Sequence, residues 1–281
     1  MSQQKEKIGV IGHGLMGRGI IHSYAENGFE VVAVKRRDND TRLEDHFRHE
    51  IKKGRLEEEQ YTTIKKQITS TTDLSAIADC QLIIENISEN VAEKVALFDT
   101  LENLCPPETI FATNTSSIPI GKMAKKTKRP EKVIGLHYMS PVQVMDLVEI
   151  VKGLETSKET LDTCIAINKQ INKVPVVVKD FPGFVASRLV STLVNEASFI
   201  YMQGVAEAEA IDEIAKLGMN LPVGPLKLAD LVGLDTALYT LDSLFENFKD
   251  PKYRANPLLR TMVESGHLGR KTGKGFYDYN K

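Results

Sequence analysis

The hydrophobic pattern of this chain changes period once, close to residue 180. Before that point, short apolar runs at residues 7–11, 30–34, 81–85, 110–112, 133–136, 144–151 and 174–178 alternate with segments of helical period, among them 20–27, 91–104 and 157–171. Uninterrupted runs of that length predict strands buried on both faces, and their alternation with helices predicts a parallel, doubly wound sheet. Residues 68–70 add one short strand. From 41 to 67 the sequence is highly charged, with Leu43, Phe47 and Ile51 at helical spacing before Gly54, and Tyr61, Ile64 and Ile68 after it. That predicts a helical hairpin inserted ahead of the third strand. Beyond 180 the period is helical throughout: 184–203, then 207–217 ending at Gly218, then helices near Pro225, Asp235 and Pro257. The chain therefore reads as α/β over residues 1–180, followed by an all-α domain over 181–281.

The turn after the first strand sharpens this picture. It reads Gly12-His13-Gly14-Leu15-Met16-Gly17, a GxGxxG between strand and helix. The first glycine permits the tight turn, the second lets a pyrophosphate reach the backbone, and the third allows close helix–strand packing. The first domain is thus expected to be a Rossmann-type dinucleotide-binding domain, with Gly12, Gly14, Leu15, Met16 and Gly17 at the cofactor. An acidic residue usually ends the second strand and takes the adenosine ribose hydroxyls of NAD. Here that strand runs into Lys35, Arg36 and Arg37, and Asp38 arrives about three residues late. Three cations favour a 2′-phosphate, so NADP(H) is expected over NAD(H), with Lys35 and Arg36 as its contacts; the alternative is a solvated basic loop with Asp38 reaching back to the ribose.

Composition narrows the classes. The 281 residues carry a formal net charge of −2, which gives no basic face for nucleic acid. No apolar run approaches membrane-spanning length, and the start MSQQKEK lacks the apolar core of a secretory signal. Cys80, Cys105 and Cys164 are scattered and have no metal-ligand spacing, as expected of reduced, buried thiols in a cytoplasmic protein; no metal is expected.

In a doubly wound sheet, ligands lie beyond the carboxyl ends of the strands. That rim collects Glu89 and Lys94 after one strand, Asn114-Thr115-Ser116-Ser117 after the next, and His137 in a short loop after a third. Glu149 lies twelve residues after His137 on a second β-rich run. An imidazole oriented by a carboxylate is suited to proton transfer near neutral pH. The hairpin tip carries Lys52, Lys53 and Arg55, read either as a solvated face or as a dock for a phosphate-bearing substrate arm. The apolar surface of the C-terminal helices is read as a dimer interface or as that domain's own core.

Several linked motifs in order carry a resemblance: MG inside the glycine turn, ISENVAEK, TNTSS, GLHYMSPVQVMDLVEI, DFPGFVASR, GPLKLADLVGLD and GRKTGKGFYDY. Over nearly its whole length the chain resembles the L-3-hydroxyacyl-CoA dehydrogenases, most of all the short bacterial 3-hydroxybutyryl-CoA dehydrogenases. The resemblance implies that His137 removes the C3 hydroxyl proton as hydride leaves for the nicotinamide, and that Glu149 holds the ring. It implies that Ser116 hydrogen-bonds the substrate oxygen with Asn114 nearby, and that Glu89 and Lys94 contact the nicotinamide-side ribose. The hairpin matches an insertion that helps hold coenzyme A, and the C-terminal helices match a dimerisation domain.

Three positions depart from the family. Lys35 replaces an acidic residue, in line with NADP(H). Ser140 and Ser187 stand where the family usually has asparagine, and the second of those asparagines supplies an amide to the active site. A serine is shorter, so the substitutions point to an altered substrate or a weakened activity. The expected substrate is an acyl-CoA or acyl carrier protein thioester, the latter in a polyketide-type extender-unit pathway. The other readings are a non-catalytic dinucleotide-binding homologue and, less well matched, a dehydrogenase of free 3-hydroxyacids.

Overall fold

The computed structural model describes residues 7–280, which divide after Asp180 into two compact units. The first unit is built on eight strands: β1 (Lys7–Ile11), β2 (Glu30–Val34), β3 (Ile68–Thr71), β4 (Leu82–Glu85), β5 (Ile110–Thr113), β6 (Val133–Tyr138), β7 (Leu147–Lys152) and β8 (Val174–Lys179). Their order is β3-β2-β1-β4-β5-β6-β7-β8, with the chain reversing direction across the sheet between β1 and β4. Helices α1 (Leu15–Glu26), α2 (Arg42–Lys52), α3 (Glu58–Lys66), α4 (Val91–Leu104), α5 (Gly121–Ala124) and α6 (Lys158–Gln170) belong to this unit. Strands β1, β4 and β5 are buried along almost their whole length, as uninterrupted apolar runs require when both faces are covered. Each fully buried aliphatic side chain there contributes about 1.5–3 kcal/mol of transfer free energy.

The expected elements form, with instructive differences. The sheet is mixed: β6 and β7 pair antiparallel, because their connection is too short for the crossover that a parallel pair needs. β7 also starts at Leu147, not 144. The backbone N–H groups of Val144 and Met145 both donate to the Pro141 carbonyl and close a turn instead. His137 lies inside β6, not in a loop after it. α1 begins directly after Gly14, five residues before the apolar period shows it, since Gly17 and Gly19 hide the periodicity. The charged insertion is the helical pair α2–α3, packed on the core by Leu43, Phe47, Leu56 and Ile64.

The second unit comprises α7 (Ala186–Met202), α8 (Ala208–Met219), α9 (Pro225–Val232), α10 (Leu234–Phe248) and α11 (Pro257–Glu264). α8 runs through Gly218 and is capped by Asn220 in the left-handed region at φ 57°. Two buried aspartates explain motifs that carry no chemistry. Asp212 accepts from the Leu226 and Lys227 amides at the start of α9, at 2.8 and 2.9 Å. Asp230 accepts from the Phe276 and Tyr277 amides at 2.9 Å each and thereby latches the C-terminal GFYDY segment.

Candidate active site

The site is assembled on the carboxyl rim of the first unit's sheet. Its first component is the glycine turn between β1 and α1. Gly12 has φ +102°, and a Cβ there would sit 2.6 Å from the Asn86 carbonyl oxygen, so only glycine fits. At Gly17 a Cβ would fall 1.8 Å from the Gly12 carbonyl oxygen. Gly14 is different: a Cβ built on it meets nothing within 4 Å. The amides of the first turn of α1 receive no side-chain cap, and no acidic residue lies in that turn. Beside the turn, Asn86 Oδ1 is buried without a hydrogen-bond partner among the described residues. Uncapped amides facing open space at Gly14 fit a pyrophosphate, so the turn fits the dinucleotide inferred from sequence.

The second component is a buried ionic cluster. Lys94, only 1 % exposed, sends its Nζ to Glu85 Oε1 at 2.6 Å and to Glu89 Oε2 at 3.4 Å. Glu85 ends β4 and also accepts from the Ile87 amide at 2.6 Å and the Thr113 hydroxyl at 2.7 Å. Glu89 Oε1 gathers the turn after β5, accepting from the Thr115 hydroxyl, the Ser116 amide at 3.2 Å and the Ser117 hydroxyl at 3.0 Å. The TNTSS turn is thus shaped by a carboxylate, which leaves the half-buried Ser116 hydroxyl uncommitted among the described residues. Lys94 is committed to the two glutamates, and Glu89 is the member of the pair with solvent access.

The third component is the proton pair. His137 and Glu149 are register partners across β6 and β7, so their side chains share one face of the sheet. His137 Nδ1 and Glu149 Oε2 are 2.7 Å apart and buried. This fixes the ring and leaves Nε2 as the nitrogen suited to exchanging a proton with a ligand. Asn114 ties the β5 exit to this strand: its Oδ1 accepts from the Tyr138 amide at 2.9 Å. Ser116, Asn114, His137 and Glu149 therefore lie on or just after three neighbouring strands, β5, β6 and β7.

The remaining sequence candidates are dispersed. Lys35 directly follows β2 and its Nζ donates to the Asp38 carbonyl at 2.9 Å. Arg36 lines an open hollow of about 500 Å³ together with Arg37, Asn39, Asp40, Thr41 and Arg42. Asp40 is engaged there by Arg42, whose hydrogen bonds hold its carboxyl down at about 2. Lys52 is the last residue of α2, at the hairpin tip. Arg55 is not a free cation, since it forms a bidentate pair with Glu50 at 2.7 and 2.5 Å. Ser140 is exposed in the loop after β6, and Ser187 lies half-buried in the first turn of α7, in the second unit. Glu85 and Glu50 were not singled out from sequence. QLIIE followed nine residues later by Lys94 was a signal for the first, and nothing local marked the second.

Residues 7–181 match the 3-hydroxyacyl-CoA dehydrogenase NAD binding domain, and residues 183–279 match the 3-hydroxyacyl-CoA dehydrogenase C-terminal domain. The chain belongs to the 3-hydroxyacyl-CoA dehydrogenase family. Relatives include the probable 3-hydroxybutyryl-CoA dehydrogenase of Bacillus subtilis, 43 % identical with 98 % of each chain covered. The 3-hydroxybutyryl-CoA dehydrogenase of Clostridioides difficile is 45 % identical over 98 % of this chain and 100 % of its own. Among solved structures, (S)-3-hydroxybutyryl-CoA dehydrogenase from Ralstonia eutropha superposes with a TM-score of 0.91 at 40 % identity, covering 99 % of this chain and 100 % of that one. The family places this dehydrogenase among oxidoreductases acting on CH–OH groups, and its glycine turn falls inside the family's dinucleotide domain. Among the described residues, no group of three or more His, Cys, Asp or Glu side chains is placed to hold a metal ion, and no helix is long and apolar enough to cross a membrane.

Proposed function

We propose that this protein interconverts a 3-hydroxyacyl-CoA and its 3-oxoacyl-CoA, with His137 as the acid–base residue. The observation that carries the proposal is the buried His137–Glu149 pair at 2.7 Å on paired strands. The bound nicotinamide supplies hydride acceptance in one direction and hydride donation in the other. His137 takes the C3 hydroxyl proton through Nε2 during oxidation and returns it during reduction, while Glu149 holds Nδ1 and supports the imidazolium. The Ser116 hydroxyl, set by Glu89, is the hydrogen-bond donor to the substrate oxygen, with Asn114 fixing the neighbouring strand end. Ser140, in the exposed loop after β6, is a short side chain that leaves room for a larger or more polar substituent than a simple acetoacetyl group. Lys52 and Arg55 meet the phosphates of the thioester carrier.

Lys35 and Arg36 select NADP(H). Support comes from the charges after β2: Asp40 is neutralised by Arg42, Thr72 donates to Asp38 at 2.9 Å, and Arg36 and Arg37 form no ion pair among the described residues. A hollow lined by unpaired guanidinium groups suits a 2′-phosphate. Exposed apolar side chains on the second unit, among them Leu189, Ile214, Leu217 and Leu231, support a homodimer formed through those helices.

The test is a matrix of NADPH and NADH against acetoacetyl-CoA and the matching acyl-carrier-protein thioester. Turnover of the CoA thioester with a higher kcat/KM for NADPH is the expected result. Preference for NADH contradicts the cofactor assignment, and absence of turnover on every thioester contradicts the enzymatic one.

A further inference from the structure

The segment after β2 carries two carboxylates, Asp38 and Asp40, among Lys35, Arg36, Arg37 and Arg42. Asp40 is engaged locally: Arg42 donates to it through Nε at 2.8 Å and through Nη2, and the Asp40 side chain is only 6 % exposed. Asp38 is engaged from farther away. Its Oδ1 accepts from the Thr72 hydroxyl at 2.9 Å, and Thr72 directly follows β3. Lys35 fastens the arrangement at both ends. Its amide donates to the Thr71 carbonyl at 2.8 Å, extending the β2–β3 ladder by one step, and its Nζ donates to the Asp38 carbonyl at 2.9 Å. The sheet order gives the Asp38–Thr72 contact a direction. β3 and β1 lie on opposite sides of β2, so Thr72 and the glycine turn flank the end of β2 from opposite sides. With strands about 4.8 Å apart, the two flanks are separated by roughly 10 Å. The glycine turn is bound to the β1 side, where the Gly12 amide donates to the Val34 carbonyl at 2.8 Å.

We propose that Thr72 is a specificity-determining residue that holds the Asp38 carboxylate on the β3 side of β2, away from the adenosine ribose, and so keeps the end of β2 suited to a 2′-phosphate. This rests on the reading that the cofactor is NADP(H). The ribose of a dinucleotide held by a glycine turn lies beside the end of the second strand, where a carboxylate accepts from its hydroxyls and repels a 2′-phosphate. With Asp40 covered by Arg42, Asp38 is the carboxylate of this segment that can serve an unphosphorylated ribose. Drawn toward Thr72, it faces away from that task. Asp38 and Thr72 are both exposed, so their hydrogen bond places a charge and contributes little to the stability of the fold. Nothing local in the sequence marks Thr72, because the link joins the segments that follow two different strands.

The experiment measures Kd for NADPH and for NADH by titration calorimetry, in the wild-type protein and in variants of Thr72 and Asp38. Wild-type protein is expected to bind NADPH more tightly. Thr72→Val keeps the shape of the side chain and removes the hydroxyl, which frees the carboxylate to turn toward the ribose. The Kd for NADH divided by that for NADPH should then fall by about five- to tenfold, the range expected when one hydrogen bond is redirected. Thr72→Ser keeps the donor and should hold the ratio within about twofold of wild type. Adding Asp38→Asn to Thr72→Val should restore the ratio as well, since no anion is left to release. A residue that only supports the fold would weaken both dinucleotides alike and leave the ratio unchanged. The proposal is overturned if Thr72→Val keeps the wild-type ratio, or if either Thr72→Ser or the double variant shifts it as far as Thr72→Val does. Wild-type protein that binds NADH as tightly as NADPH, or more tightly, overturns the cofactor reading and this inference together. A preference for NADPH that survives Thr72→Val defeats the inference alone.

Discussion

Alanine at Gly14 should weaken dinucleotide binding and spare the fold, whereas alanine at Gly17 should damage both. Gly14 has φ −65° and ψ −174°, a conformation any residue adopts, and a Cβ there meets no heavy atom within 4 Å. The substitution therefore costs the folded state nothing and narrows the unfolded ensemble, a gain of about 0.4–1 kcal/mol. In a chain of this size that raises Tm by roughly 1–4 °C. The added methyl occupies the approach to the α1 amides, and losing one charge-assisted hydrogen bond to phosphate costs about 1.5–3 kcal/mol, or roughly 10- to 150-fold in Kd. At Gly17 the new Cβ would lie 1.8 Å from the Gly12 oxygen and 2.9 Å from its carbon. Both atoms are backbone and cannot rotate aside, so β1 and α1 must separate at a cost of about 1–3 kcal/mol or more. Scanning calorimetry and titration calorimetry with NADPH and NADH measure the two effects. Wild-type affinity in Gly14→Ala, or a wild-type melting temperature in Gly17→Ala, would refute the reasoning.

Other substitutions test the surrounding structure. Lys94→Met leaves Glu85, wholly buried, without its cation, and is expected to cost about 3–5 kcal/mol; adding Glu85→Gln should recover more than half, and recovery of none in thermal melts would count against the pairing. His22 and His46 are buried, hydrogen-bonded to each other at 3.0 Å, and each is pushed down to about 4, chiefly by desolvation. Their unfolded forms take up protons near 6.5 while the folded forms stay neutral, so stability is full above about pH 6.5 and declines as pH falls toward 4. Denaturant melts across that window should show the decline, and replacing both by glutamine should flatten it; an unchanged slope would argue that other groups govern the acid limb.

Much of this architecture was legible because burial on both faces leaves uninterrupted apolar runs, and the strands β1, β2, β4 and β5 appear where those runs do. The glycine turn was legible for a related reason: its spacing is dictated by close approach, which only glycine permits at Gly12 and Gly17. What stayed hidden depends on pairing between distant segments. The placement of His137 inside β6 follows from the antiparallel return of β7, and a twelve-residue separation does not reveal where the turn closes. Glu50 looked like one more charge on an amphipathic helix, and Arg55 looked like one cation of a basic tip, until folding paired the two. Lys94 stands on the rim in the sequence, but its ion pairs with Glu85, wholly buried, and Glu89, which keeps solvent access, depend on the fold.

The assignment of His137 as the acid–base residue is tested most directly by His137→Gln, assayed for oxidation of 3-hydroxybutyryl-CoA alongside the affinity for the dinucleotide. Glutamine retains hydrogen-bonding capacity toward Glu149 but cannot carry a proton between states. Turnover should fall by about two to four orders of magnitude with cofactor affinity unchanged. Turnover within a few-fold of wild type would contradict the assignment and leave the His137–Glu149 pair a structural contact.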